Sequence, residues 1–267
     1  MRTNKLLITA SLLAAFALTG APASAQRAVE ATNFELAIQS NDNDTSGSTS
    51  TGTLGGNLRG TLPIGGFLGL SVEGGYSTSR VRTGDVLPRE DGTISVTRPS
   101  CSFDNLDGEL SFFARRPNLG RIGLSYGIGE LSSDCSENSQ FLLSGNDKLD
   151  TDRQRLDLEV YLSDFTIGGA YTQLNLDNGP ELETTAFHAS WYALDSLKIT
   201  LSGDDQYEDN TYGIQFEHQP EFLGDGFGVQ LGYAKTGGDV DTQVISVGLS
   251  YFFGTRVTLK DRDRLYR

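Results

Sequence analysis

The sequence predicts an all-β protein, an antiparallel up-and-down barrel of about twelve strands. Three observations point there. Of 267 residues 32 are glycine, and only 37% are hydrophobic although 14 Phe and 10 Tyr are present, a β-leaning composition. From Glu35 onward apolar residues alternate with polar or small ones in runs of about ten, the period-2 signature of strands with two unlike faces. No helical stripe competes with it. The connections between runs alternate between long and short, as they must when successive strands run up and down. The length suits a single all-β domain.

The N-terminus stands apart. Arg2 and Lys5 precede the apolar stretch Leu6 to Leu18, and Ala23-Ser24-Ala25 is a small-residue cleavage site before Gln26, so residues 1–25 read as a signal peptide removed on export. A retained helical anchor fits less well, because the stretch is shorter than the roughly 20 residues that a spanning helix needs. No long uncharged apolar run follows Gln26. The whole chain carries a formal charge of −14; after residue 25, 19 basic residues face 35 acidic ones, or −16. That charge argues against binding nucleic acid through its phosphates, which needs a basic surface.

The runs follow in order. Phe34, Leu36 and Ile38 mark the first, before a polar loop from Asn41 to Ser50. Leu54, Leu58 and Leu62 mark the second, which ends in the tight turn Pro63-Ile64-Gly65-Gly66. The third carries Leu68, Leu70, Val72 and Tyr76, then a long polar stretch from Ser79 to Asn105. Leu110, Phe112 and Ala114 lead to a short turn at Arg116-Pro117-Asn118. Ile122, Leu124, Tyr126 and Ile128 precede a second long loop, Ser132 to Asp152. In the sixth run Leu156, Leu158, Val160 and Leu162 face one way while Arg155, Asp157, Glu159 and Tyr161 face the other. Phe165 to Leu176 is the seventh, and the eighth, with Phe187 and Trp191, turns at Asp195-Ser196. The last four centre on Leu197 to Leu201, Tyr212 to Phe216, Phe227 to Tyr233 and Ile245 to Phe253.

Long polar loops thus collect at one end of the array and short turns mostly at the other. In this the chain, from about Val29 to Phe253, resembles the Gram-negative outer-membrane β-barrel proteins, as a small porin-like member. The resemblance implies a transmembrane barrel at residues 26–253 in the cell outer membrane, with periplasmic turns and extracellular loops. It also implies contact with outer-membrane lipid and lipopolysaccharide. The run Leu249-Ser250-Tyr251-Phe252-Phe253 looks like the terminal strand that the barrel assembly machinery reads. Residues 254–267 follow it, with Lys260, Arg262, Arg264 and Arg267, and are expected to form either a basic periplasmic tail or an extra strand.

On that topology Cys101 and Cys135 lie in long extracellular loops in an oxidising compartment, where a disulfide is expected to tie the loops together. Zinc-ligand spacing is lacking, and no metal or cofactor is expected. With the leucine face in lipid, strand parity turns Arg59, Glu73, Asp107, Glu109, Arg115, Arg121, Arg155, Asp157, Glu159, Lys198 and Glu217 inward as candidate pore-lining residues. They either line a narrow water-filled pore or pair across the lumen and fill it; the narrow pore is the favoured reading. Inward glycines such as Gly123, Gly127, Gly213, Gly228 and Gly232 leave lumen volume free or relieve crowding at bends. Acidic loops at Asp204, Asp205, Glu208 and Asp209, and at Asp239 and Asp241, would draw cations to the mouth or stay merely solvated.

No catalytic constellation emerges. His188-Ala189-Ser190 matches only faintly the His-x-Ser pair of outer-membrane lipid A deacylases, and both side chains would face away from lipid. An autotransporter translocator would need a passenger and a lumenal helix, for which Gln26 to Thr32 leaves no room. The sequence therefore predicts a non-enzymatic, porin-like passive channel for small hydrophilic solutes, neutral or cationic. The alternative is a non-conducting structural or surface-interaction barrel, and a remote one is an outer-membrane lipid hydrolase.

Overall fold

The computed structural model describes residues 27–45, 51–82, 85–88, 94–97, 100–134, 148–177, 179, 181–205, 210–224, 226–237, 241–254 and 257–267. Twelve antiparallel strands close into one barrel. They are β1 (Asn33–Thr45), β2 (Thr51–Pro63), β3 (Leu68–Arg82), β6 (Ser100–Arg116), β7 (Gly120–Ser133), β8 (Lys148–Leu162), β9 (Phe165–Leu176), β10 (Glu181–Leu194), β11 (Leu197–Asp204), β12 (Asn210–His218), β13 (Phe227–Gly237) and β14 (Thr242–Phe253). Between β3 and β6, β4 (Asp85–Pro88) and β5 (Ile94–Thr97) form a small separate hairpin. Closure is made by β14 on β1, in register from Phe34 opposite Phe253 to Thr45 opposite Thr242. No strand edge is then left open, the condition for crossing hydrocarbon, where no water can satisfy a free N–H or C=O.

The burial pattern is that of a soluble protein turned inside out. Arg115 and Glu217 are 0% and 2% exposed, whereas Val247 and Leu249 on the outer face are 48% and 52% exposed. An apolar belt of this kind is the surface that a membrane barrel turns to lipid. Aromatic rings gather in the belt near the short turns: Phe165 stacks on Trp191 at 6.2 Å, and Tyr251 sits 4.7 Å from Phe227 and 4.6 Å from Phe253 between ring centroids. Rings with an apolar body and a polar neighbour suit the membrane–water boundary.

Twelve strands and the short turns match the pattern in the sequence. The strands reach further than that pattern does. β1 runs to Thr45 into the expected Asn41–Ser50 loop, and the β3–β6 ladder continues to Arg82 opposite Ser100 inside the expected Ser79–Asn105 loop. Beyond the belt both strand faces meet water, so the ladder persists while the alternation that reveals it disappears. Cys135 lies outside the described residues and only the backbone of Cys101, in β6, is described, so the expected disulfide falls outside them, as do residues 1–25.

Residues 259–266 form neither a further strand nor a free tail. After Phe253 the chain folds back and enters the barrel at the short-turn end as a helical segment, Leu259–Asp261 running into Arg262–Tyr266. The Thr258 hydroxyl caps it by accepting from the Asp261 N–H at 3.1 Å. On the other side of the mouth Ala28 and Val29 are fully buried against Phe113. Gly69 makes room for that ring, since a Cβ there would overlap it.

Candidate functional site

Parity places every predicted inward side chain on the interior wall, and register pairs most of them. Arg59 and Glu73 stand directly opposite each other on β2 and β3, and the Arg59 Nε donates to Glu73 at 2.7 Å. Asp107 and Glu109 on β6 both face Arg153 of β8, at 3.8 and 2.8 Å, across the intervening β7. Arg121 on β7 is 3.8 Å from Asp157 on β8 and lies over the Phe113 ring, with Arg115 against the same ring. Lys198 and Glu217, opposite in the β11–β12 register, are 2.7 Å apart. Glu159 accepts from the Tyr161 hydroxyl at 3.2 Å and is 3.7 Å from His188. Among the described residues Arg155 has no ion-pair or hydrogen-bond partner, and it is exposed to the interior space.

The wall carries a second set of partners for the helical segment. Arg262, fully buried, donates to Glu217, and Asp263 accepts from Lys198 at 2.8 Å and from the Tyr192 hydroxyl at 3.1 Å. Arg267 bonds Glu35 of β1 and reaches Asp263 at 3.0 Å. Arg264 donates to the carbonyls of Ser163 and Phe165 at 2.7 and 2.6 Å and lies over the rings of Tyr161 and Tyr192. The tight β8–β9 turn, which holds Ser163 at φ 48°, aims that first carbonyl inward. Main-chain bonds complete the dock: Leu259 N–H to Asp195 O and Glu30 N–H to Leu265 O, both 2.9 Å. Arg115 donates to the carbonyls of Ala28 and Arg267, stitching both chain segments to β6.

Burial alone would raise the Asp263 carboxyl, but Lys198, Arg267 and Arg262 outweigh it and hold that group below the ordinary carboxylate value. Glu217 and Glu35 are the other acids beside these cations. A carboxyl whose docked pKa lies below its free value stabilises docking at every pH above the free value and loses that contribution as the pH falls through the docked one. Hydrogen–deuterium exchange of residues 257–267 is therefore expected to stay slow through neutral pH and to quicken, after correction for intrinsic rates, below about pH 4.

The segment borders two spaces. One, about 280 Å³, lies within the wall and is lined by Arg59, Arg121, Arg155, His188, Lys198 and the inner face of the segment at Asp263 and Arg267. The other, about 480 Å³, opens at the short-turn end between the Asp195-Ser196 turn, Gln219 to Gly226 and the segment's outer face at Asp261. They share no lining residue.

The inward glycines correct an expectation. A Cβ at Gly123 would come within 2.6 Å of Asp157 Oδ1, at Gly213 within 2.8 Å of Ser202 Oγ, and at Gly228 within 2.6 Å of Ser250 Oγ. Their space is occupied by cross-strand side chains lying flat on the wall, so these glycines fix where polar groups point and add little open lumen. The His188-Ala189-Ser190 fragment brings its two side chains to different partners: Ser190 Oγ bonds Thr200 at 2.9 Å and His188 lies over Gly168 toward Glu159, while His218 bonds the Ser196 carbonyl at the rim. No cluster of three or more metal-ligating side chains occurs among the described residues.

No protein-family model matches the chain, and no curated protein matches it. Solved structures do. An outer-membrane channel of the COG4313 type from Pseudomonas putida F1 superposes with a TM-score of 0.57 at 11% identity, over 88% of this chain and 100% of that one. The fold is that of an outer-membrane β-barrel. The β-domain of the Bordetella autotransporter BrkA gives 0.55 at 10% identity over 83% and 99% of the two chains. The KdgM porin in complex with disordered oligogalacturonate gives 0.50 at 12% over 82% and 99%. One barrel architecture thus occurs in channels and in an autotransporter β-domain, and the lumen has to supply the function of this barrel.

Glu35, Arg153 and Tyr192 are lumenal residues that the sequence reading left out, although each shares the inward parity of its strand. Asp263 and the inward role of Arg262, Arg264 and Arg267 have no periodic signal. The nearest hint is four cations in the last eight residues, following a barrel whose inner wall is acidic at Glu35 and Glu217.

Proposed function

We propose that the protein, exported by residues 1–25, is an outer-membrane, porin-like passive channel for small hydrophilic solutes, without enzymatic activity. The carrying observation is the polar cavity in the middle of the barrel, bounded by charged side chains that a packed core would exclude. Lipid and lipopolysaccharide cover the apolar belt, and the assembly machinery reads the strand ending at Phe253. Charge accounting moves the solute preference away from cations. Glu73, Asp107, Glu109, Asp157 and Glu217 each have an Arg or Lys within 3.8 Å, Arg153 being shared by Asp107 and Glu109, and Glu159 has the His188 imidazole at 3.7 Å; among the described residues Arg155 has no ion-pair or hydrogen-bond partner, and Arg264 bonds neutral oxygens and lies over rings. Arg155, exposed to the interior space, is the cationic group left open to a solute, which favours small anions. Oligogalacturonate, the solute held by the KdgM porin, is itself anionic.

In proteoliposomes a small carboxylate is expected to permeate roughly tenfold faster than a cation of similar size, and Arg155→Glu to abolish or reverse that ratio. An unchanged ratio in the variant would remove Arg155 from the selectivity. A second reading, a non-conducting structural barrel, is favoured by the filled short-turn end of the lumen. Folded protein through which no solute passes would establish it.

A further inference from the structure

We propose that residues 259–267 are a displaceable gate, closing the periplasmic end of the lumen when docked and opening it when withdrawn, with opening biased by voltage. The proposal rests on the channel reading and adds the element that controls it. Position comes first: the segment borders both the lumenal cavity and the cavity at the short-turn end, with Asp263 lining one and Asp261 the other. Attachment comes second. The barrel wall is a continuous closed ladder, while the segment adds no strand to it and is held chiefly by side-chain ion pairs and hydrogen bonds, Arg262–Glu217, Asp263–Lys198 and Arg267–Glu35 among them. Groups of that kind can be rehydrated in a water-filled lumen, and each acid on the wall keeps or regains water when the segment leaves: Glu217 retains Lys198 as its partner. Undocking therefore breaks no strand-to-strand hydrogen bond; it uncovers Leu259, the Tyr161 and Tyr192 rings beneath Arg264 and the Phe252 ring against Tyr266, and frees the turn carbonyls of Ser163, Phe165 and Asp195 to water.

Charge comes third. Lys260, Arg262, Arg264 and Arg267 against Asp261 and Asp263 give the segment a net charge of +2. A charged element that moves through part of the membrane field makes its equilibrium depend on voltage. A potential negative on the short-turn side draws the segment outward and opens the pore; the opposite polarity seats it.

The test is planar-bilayer recording of the full chain beside two variants, deletion of 259–267 and the full-length double substitution Arg262→Ala, Arg267→Ala. Folding of each is checked by the faster or slower gel migration of unboiled samples. The expected result is a several-fold rise in time-averaged conductance in both variants and loss of the polarity dependence seen in the unmodified chain. If the deleted barrel does not fold, the double substitution decides. Equal conductance and equal voltage response in all folded forms would overturn the gate and leave the channel standing. Folded variants and unmodified chain that all fail to conduct would overturn the channel reading, and the gate with it.

Discussion

Changing Glu217 to Gln is expected to loosen the helical segment more than any other single substitution in the wall. Glu217 is 2% exposed and stands between Lys198 at 2.7 Å and Arg262, with Arg267 at 3.9 Å and the Gln230 amide at 3.3 Å. Neutralising it leaves the buried Arg262 and Lys198 with Asp263 as their remaining shared anion while the segment is docked. In the undocked state Lys198 is solvated and the loss matters little. Breaking one side of a buried pair costs about 3–5 kcal/mol, so docking should weaken by roughly two to four decades. Limited proteolysis after Lys260, Arg262 and Arg264 reads that directly, because the cleavage rate follows the undocked population. Glu130→Gln is the matched control: its pair with Lys148 at 2.6 Å is 38% and 64% exposed, and surface pairs contribute about 0–1 kcal/mol.

Placing a charge on the outer face should have an effect of similar size on the barrel itself. Val247 sits mid-strand on β14, opposite Ser40 of β1 and Leu231 of β13, and its side chain is on the apolar belt. Val247→Arg is expected to destabilise the folded barrel in bilayers by about 2–4 kcal/mol, the cost of an arginine near the membrane midplane. Denaturant titration in lipid, followed by gel mobility, measures it. At Ser246, one residue away, the same substitution points into the lumen and should leave the folded fraction close to that of the unmodified chain. Equal losses at both positions would mean that the belt is not a lipid surface.

The same parity argument explains what the sequence made legible. Period-2 alternation is a local signal with one cause, a wall between lipid and water, so it reveals all twelve barrel strands and the inward set from Arg59 to Glu217. It fades where both faces are wet, which hides the upper ladder between Arg82 and Ser100. It says nothing of register, and register decides that Gly123 lies beneath Asp157 and that Arg155 stands between the uncharged Ser125 and Thr172. The helical segment is beyond such reading for a different reason. Its contacts join Arg262 to a residue 45 positions away and Arg267 to one 232 positions away, and charge complementarity between distant residues has no period. Reading residues 254–267 as a tail or an extra strand also hid their docking as a helical segment at the short-turn end.

The central claim is that the polar lumen carries solute. Reversal potential and single-channel current of the unmodified protein in a planar bilayer under a salt gradient test it most directly. The account predicts discrete openings, more frequent at the polarity that draws the segment outward, with a reversal potential on the anion side. A folded barrel that never opens at either polarity, even after residues 259–267 are removed, would contradict it.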